Sequence, residues 1–452
     1  MTLMRRHLAL LSLATAVTAA GLAPSGVAAA SAAPFVEWHG YQYDNAHSGL
    51  SPAVPAVGRL SSAWKAQLDG PVQASPLVVA GIVIAATENN TMYGLERTTG
   101  RTLWSRHLGT PVRRSALPCG NIDPLGITGT PVADASNSHV FAVTTTPNGS
   151  SIQHRLVSLN PHNGALLSST VVDPPNQDPV VENQRGALAI AKGRVVIPFG
   201  GHAGDCGNYH GYLVSTSISG TAVGSYRLGF EPGVGLWQPS GPSTDTAGNV
   251  YVVSGNGFRY SGAWDGSNAV LKYDPLTLRL LSAFAPSNWA DGNRTDTDLG
   301  SSGAALVGGK VWVQGKSSSG YVLDQASLGG VGGQRSTLTG ACQSQFGGAA
   351  VHQNAIYAPC TDGLRKLALL ANGTVQAGWR APAEVTGTPV LGGGAVWALA
   401  PRSGSLYALN ESTGQVLGTI AVGSLARFAT PALSGTLALI PTTTGITAVN
   451  GA

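Results

Sequence analysis

Apolar and β-branched residues gather in short runs through residues 75–108: 76–79, 82–86, 91–96 and 101–107. Ala80-Gly81, Asn89-Asn90 and Thr98-Thr99-Gly100 separate them, and each break is turn chemistry. The first two runs are almost wholly apolar, whereas the third and fourth mix apolar with polar positions. That gradient predicts four antiparallel strands passing from a crowded interior to an outer edge. One such sheet cannot bury its own faces, so repetition is expected.

The pattern does repeat. Small residues, often with Pro, head each innermost run: Ser75-Pro76-Leu77, Gly129-Thr130-Pro131, Gly186-Ala187-Leu188, Gly241-Pro242-Ser243, Ser302-Gly303-Ala304, Gly347-Gly348-Ala349, Gly387-Thr388-Pro389 and Thr430-Pro431-Ala432. Second and third runs follow, at 140–145 with 155–160, 194–199 with 211–217, 250–254 with 269–274, 310–314 with 320–324, 355–358 with 363–368, and 395–400 with 405–410. The last unit stops after three runs, while 60–68 reads as a fourth strand with none before it. The fold expected is therefore all-β: an eight-bladed β-propeller of four-stranded antiparallel blades over 60–452, closed by an N-terminal strand that completes the last blade. Residues 38–50 lack strand periodicity but carry Trp38, Tyr41, Tyr43, Asp44, Asn45 and His47, and read as an ordered arm within 34–59. Insertions at 117–127, 173–185, 202–210, 230–238, 258–267 and 286–299 are where function is expected.

Composition supports this picture and narrows the compartment. With 61 Gly and 11% charged residues, the chain is turn-rich and poor in the long charged side chains that helices favour. Arg5 and Arg6 precede the apolar stretch 8–17 and the small residues 28–33, so 1–33 reads as a secretory signal peptide, and the protein as secreted or cell-surface. The remaining chain is nearly neutral and has no basic cluster, which argues against nucleic acid. Once the leader is removed, no membrane span is expected. Four cysteines allow three pairings. The spacing of Cys342 and Cys360 suits neighbouring strands of one blade, leaving Cys119 to tie the segment before the second unit to Cys206 in the third; four buried thiols are the alternative.

The run Met92-Tyr93-Gly94-Leu95-Glu96-Arg97-Thr98-Thr99-Gly100-Arg101-Thr102-Leu103-Trp104, and again 406–417, resembles the quinoprotein-type, or pyrroloquinoline-quinone-like, propeller repeat. The resemblance covers nearly all of the chain after the leader. It implies the propeller fold, but not one function, since such repeats occur in dehydrogenases and in cofactor-free scaffolds. Asn256 and Asp298 resemble the amide and aspartate placed near the quinone in the enzymes, and Lys316 lies in the matching later blade. Glu182 and Glu231 are further carboxylates, and Trp237 is a candidate stacking residue. No adjacent cysteine pair and no CxxCH haem segment is present, which argues against pyrroloquinoline quinone as a cofactor.

Independently of any family, residues just before the eight heads should ring one mouth of a propeller channel: Gln73, Thr128, Gln184 with Arg185, Trp237 with Gln238, Asp298, Gln345, Glu384 with Thr386, and Arg427. Such a ring can hydrogen-bond a polar ligand and stack it on Trp237. Arg185 is the foremost candidate for holding a carboxylate. Tyr209 and His210 are candidates for an acid–base pair, Glu231 with Asp298 for a hydrolytic carboxylate pair, and Asp291, Asp296 and Asp298 for a Ca²⁺ site. The function expected is a monomeric binding or scaffolding module for a polar small molecule, a glycan or an extracellular protein. A polysaccharide lyase or hydrolase is the alternative, followed by a quinone-dependent dehydrogenase.

Overall fold

The computed structural model describes residues 36–220, 223–229 and 231–451. The leader expected at 1–33 lies outside the described residues. Eight antiparallel sheets form an eight-bladed propeller. Blade one consists of Leu77–Val79, Ile82–Ala86, Thr91–Glu96 and Thr102–His107. Blades two to seven follow at 132–171, 189–227, 243–285, 305–339, 350–380 and 390–421. In blade eight, Ala432–Ser434, Leu437–Thr442 and Gly445–Asn450 are completed by Ser61–Gln67, with Ser61 opposite Asn450 and Gln67 opposite Gly445. Among the described residues no helix is long and apolar enough to cross a membrane.

Burial follows strand position. Leu77–Val79 is buried throughout, whereas Thr102–His107 and Ser61–Gln67 each bury chiefly one side chain, Trp104 and Trp64. The core lies between blades rather than within them. Val132, Phe141, Val143 and Leu156 of blade two, for instance, pack on Val195, Ile197, Phe199 and Val214 of blade three. Outer-strand tryptophans staple the series. Trp64 Nε1 donates to the Arg97 carbonyl (2.9 Å), Trp104 to Pro161 (2.8 Å) and Trp379 to Glu411 (3.1 Å). Each indole lies on a turn glycine of the next blade: a β-carbon on Gly100, Gly164 or Gly414 would come within 2.4, 2.5 or 2.6 Å of the ring. These glycines also have φ near +70°, so the glycine that closes this turn is required both for its backbone and as the floor of an indole site.

The N-terminal arm lies along the inner strands. Trp38 pairs with Val78, and the carbonyls of His39, Asn45, Ser48 and Gly49 accept from the amides of Ala133, Thr244, Val351 and Leu391 (2.7–2.8 Å). An inner strand has no blade neighbour on its channel side, so these contacts satisfy backbone groups that would otherwise be unpaired. The arm turns through left-handed backbone at Gln42, Tyr43 and His47. It is held there by burial of Trp38, Tyr41 and Gln42 and by Tyr41 Oη against Thr388 Oγ1 (3.0 Å).

Several local features depart from the pattern read in the sequence. The blade-two hairpin is longer than 140–145 with 155–160 and runs through Val140–Asn148 and Ser151–Leu159, because the two strands stay paired without a break up to Asn148 opposite Ser151, at the turn with Gly149. Residues 289–295 form a helix, Trp289–Thr295, and Gly330–Val331 adds a parallel strand to blade four. Both expected disulfides form. Cys342, however, lies beyond the outer strand Ser336–Thr339 of blade five and Cys360 beyond Ala355–Ala358 of blade six, so this bridge links two blades rather than two strands of one.

Replacing Trp64 by Ala removes the indole that fixes the closing strand to blade one and is expected to cost about 3–5 kcal/mol of stability. Leu103→Ala, on an exposed outer-strand position, should stay within about 0.5 kcal/mol of the parent. Chemical denaturation followed by tryptophan fluorescence compares them, and equal midpoints would refute the stapling role.

Candidate functional site

The loops that enter the inner strands, with Lys316 from the turn between Lys310–Gln314 and Ser319–Asp324, bring an alternating row of cations and rings to one mouth of the channel. Lys316 Nζ lies 5.7 Å from the Trp237 ring centroid, and Trp237 is 6.4 Å from Phe346, which is 6.2 Å from Phe428. The Arg427 guanidinium sits 4.7 Å from the Phe346 centroid and 5.2 Å from Phe428, and Arg185 is 4.7 Å from Phe428. Such contacts favour a cation over a ring face without neutralising it. Among the described residues neither Arg185 nor Arg427 has an ion pair or hydrogen bond. Burial, together with Arg427 and against the pull of Glu88, lowers the Arg185 pKa to about 10, so it remains charged at neutral pH.

Below this row the mouth is closed by the arm. Tyr41, Gln73, Thr128, Thr130, Arg185, Pro239 and Phe428 line one small cavity. Glu88 is buried beside it, its carboxylate accepting from Gly126 N (2.7 Å) and Thr128 Oγ1 (2.8 Å). Burial raises its pKa to about 7, with those two donors and the charge of Arg185 opposing the rise. A larger cleft of 530 Å³ opens to one side, between Phe346, Phe428 and the loops of blades six and seven.

On the other side, Trp237 Nε1 donates to Asp298 Oδ2 (3.0 Å), and Lys316 Nζ reaches Asp298 (3.4 Å) and Asp296 (2.6 Å). Asn256 Nδ2 also donates to Asp296 (2.7 Å). Burial raises the Asp298 pKa to about 6, Lys316 opposing and Asp296 adding to it. Burial works against the charge on Lys316 too, but the two carboxylates outweigh it and raise its pKa. Glu182 Oε1 accepts from His210 N (2.9 Å), and its burial raises its pKa to about 8 against His210 N and Arg227. Backbone bridges run from His210 to Gly233 and from Gly233 to Gly257, bringing the blade-three loop alongside Asn256. Glu182 Oε2, Asn256 Oδ1 and Asp298 Oδ1 are buried without a partner.

Residues 61–205 match the family profile of the outer membrane protein assembly factor BamB. Over 154 residues the chain is 32% identical to the dehydrogenase subunit of the quinone alcohol dehydrogenase of Gluconacetobacter polyoxogenes, covering 32% of this chain and 19% of that one. The match thus spans about a fifth of the relative's length. The fold superposes on a quinohemoprotein alcohol dehydrogenase of Pseudomonas putida with a TM-score of 0.72 at 13% identity, over 92% of this chain and 80% of the other. The chain thus resembles quinoprotein propellers over part of its sequence, and shares their fold. BamB of Moraxella catarrhalis superposes with a TM-score of 0.57 at 16% identity, over 87% of this chain and 97% of BamB. At these identities the superpositions speak for the fold alone.

Within the propeller the expected site residues separate into groups. Trp237, Asp298 and Lys316 meet through direct contacts, Asn256 joins them through Asp296, and Arg185 and Arg427 meet through Phe428. Gln184 and Gln345 are buried and engaged internally, with Gly186 O and Trp312 Nε1, and Gln238 is fully buried. The Ca²⁺ site expected from Asp291, Asp296 and Asp298 does not assemble among the described residues. The helix Trp289–Thr295 turns Asp291 onto Arg294 (2.5 Å), while Lys316 occupies the space between the other two carboxylates.

Tyr209 donates to Asp205 (2.8 Å), and burial with that carboxylate pushes its pKa far up. His210 Nδ1 meets Gln177 Oε1 (3.2 Å), while Arg227 Nη2 lies against its Nε2. Nδ1 must then donate and Nε2 accept, which fixes a neutral ring, and burial and Arg227 lower its pKa. Glu231 is exposed and acts electrostatically on His210, whereas Asp298 is buried against Trp237. Phe346, Phe428, Glu88 and Tyr41 were missed as site residues. The two phenylalanines directly follow Gln345 and Arg427, so a ring read two residues deep would have included them.

Glu88 is expected to leave a pH signature. It takes up its proton at about 7 when folded and at its ordinary 4.5 when unfolded. Between those values the folded chain holds more protons, so stability falls as pH rises and the loss is complete above 7. Glu88→Gln should shrink the difference in unfolding free energy between pH 5 and pH 8 by up to about 3 kcal/mol, as measured by denaturant titration at both values. Glu182 and Asp298 act with the same sign in both proteins, so an unchanged difference would refute the assignment.

Proposed function

We propose that the propeller is an exported binding module that takes an acidic saccharide at the channel mouth. The observation that carries this reading is the pair Arg185 and Arg427, both over Phe428, with no carboxylate hydrogen-bonded to either among the described residues. Two guanidiniums in a partly desolvated mouth present a fork geometry suited to carboxylate oxygens, and the rings between them suit the apolar face of a sugar. The two disulfides accord with an oxidising destination. Because the arm floors the channel, a ligand would enter from the loop side alone.

Titration calorimetry with trigalacturonate and its neutral methyl ester tests this. The acid should bind and the ester should not, with affinity falling as salt is raised. Arg185→Gln should weaken the acid about tenfold or more, as expected for one charge-assisted hydrogen bond. Equal binding of acid and ester would overturn the reading.

A second reading, a hard cation with a quinone in blades three to five, is favoured by the unpartnered oxygens of Glu182, Asn256 and Asp298. All three are hard donors of the kind Ca²⁺ selects, so this donor set fits the cation. A bound quinone would supply two-electron oxidation of an alcohol. Trp237 would give it a flat floor, and Asp298 would hold the cation through Oδ1 together with Glu182 and Asn256. Terbium luminescence sensitised by Trp237, and lost in Asp298→Asn, is the expected outcome if this reading holds. A chain that gives no terbium signal would exclude it.

A further inference from the structure

The 530 Å³ cleft lies off the channel axis, on the side of blades six to eight, away from the long insertions of blades two to five. Its volume is within the range of small-molecule sites. Its walls combine three kinds of chemistry. Phe346, Pro359 and Pro401 supply apolar surfaces. Arg427 and Arg402 supply positive charge on the side of blades seven and eight, and both are exposed. Glu384 lies on the same wall with one carboxylate oxygen, Oε1, taken by Tyr407 Oη (2.9 Å), which leaves Oε2 to accept from a ligand. The other acidic lining residue, Asp362, is engaged by Arg365 (2.6 Å) and Arg380 (3.5 Å), so its charge is compensated from behind.

Guanidiniums together with a carboxylate acceptor ask for a ligand that carries both an acid group and hydroxyl donors. A simple aromatic acid would satisfy the arginines and offer Glu384 no hydroxyl donor. A uronic-type sugar meets every group: its carboxylate on Arg402 and Arg427, a hydroxyl on Glu384, and a C–H face on Phe346 and the prolines.

We infer that this cleft is a second sugar subsite, which receives the uronic residue next to the one held at Arg185 and so gives the propeller a preference for acidic oligosaccharides over monosaccharides. The inference rests on the acidic-saccharide reading of the mouth. Continuity supports it, since Arg427 and Phe428 line the cleft and also face Arg185.

The test is calorimetry on the full exported chain with galacturonate, trigalacturonate and benzoate, comparing the parent with Arg402→Gln, Ala383→Trp and Arg185→Gln. Ala383 is exposed on the cleft wall, so the indole would fill the cleft without entering the core. Trigalacturonate should bind the parent at least tenfold more tightly than galacturonate, and Arg402→Gln and Ala383→Trp should each remove most of that advantage while leaving galacturonate unaffected. Should Ala383→Trp fail to fold, as judged by its melting curve, Arg402→Gln alone decides. If Arg185→Gln weakens the trimer but neither cleft variant does, the cleft inference fails and the mouth reading stands. If no acidic sugar binds the parent, both fall. Benzoate binding that exceeds the trimer and is lost in Ala383→Trp would overturn the sugar class.

Discussion

An indole set on a bare turn glycine is the contact on which the ring depends. Each blade is a sheet with two faces to cover, and face-to-face packing alone leaves neighbouring blades able to slide. Trp64, Trp104 and Trp379 prevent that at three junctions, because an indole both fills the space over the glycine and donates to a carbonyl of the same turn. Trp64 has the further task of anchoring a strand that is remote in sequence from the blade it completes. Everything at the mouth is carried by the arm and by loops of blades whose spacing these staples hold.

The mouth itself is built from opposed tendencies. Three cations are kept close together by aromatic faces, and only Lys316 has carboxylate partners. Glu88, Glu182 and Asp298 are desolvated enough that burial raises the pKa of each. Positive charge is thus held outward, over Phe346 and Phe428, while negative charge is held inward and partly protonated near neutrality. That polarity favours an anion approaching from the loop side.

Most of the fold was legible because its signals are local. Runs such as 82–86, 91–96, 310–314 and 405–410 coincide with the observed strands, since turn glycines and alternation determine both ends. The closing strand was legible by counting, as the last unit lacked what the N terminus had in excess. The site was less so. Trp237, Asp298, Arg185 and Arg427 could be placed at the mouth from topology, but which of them touch depends on side-chain reach. Phe346, Phe428 and Glu88 carry no pattern in the sequence that separates them from their neighbours. The acidic stretch 291–298 had the composition of a cation loop, yet a short helix and the ammonium of Lys316 determine where its carboxylates go.

The arm over 38–51 bears on how the ring comes to exist. Tyr41 meets Thr430 across 389 positions, and the closing strand 61–67 waits for residues 445–450. Both segments are synthesised before the last blade, and their contacts with it can form only once that blade is made. Such non-local closure carries a loop-closure entropy cost that local strand pairing does not, and it leaves inner-strand edges open until it happens. The same segment that gives the channel its floor therefore acts as the chain's final lock, and the mouth acquires its shape only in molecules whose assembly is finished.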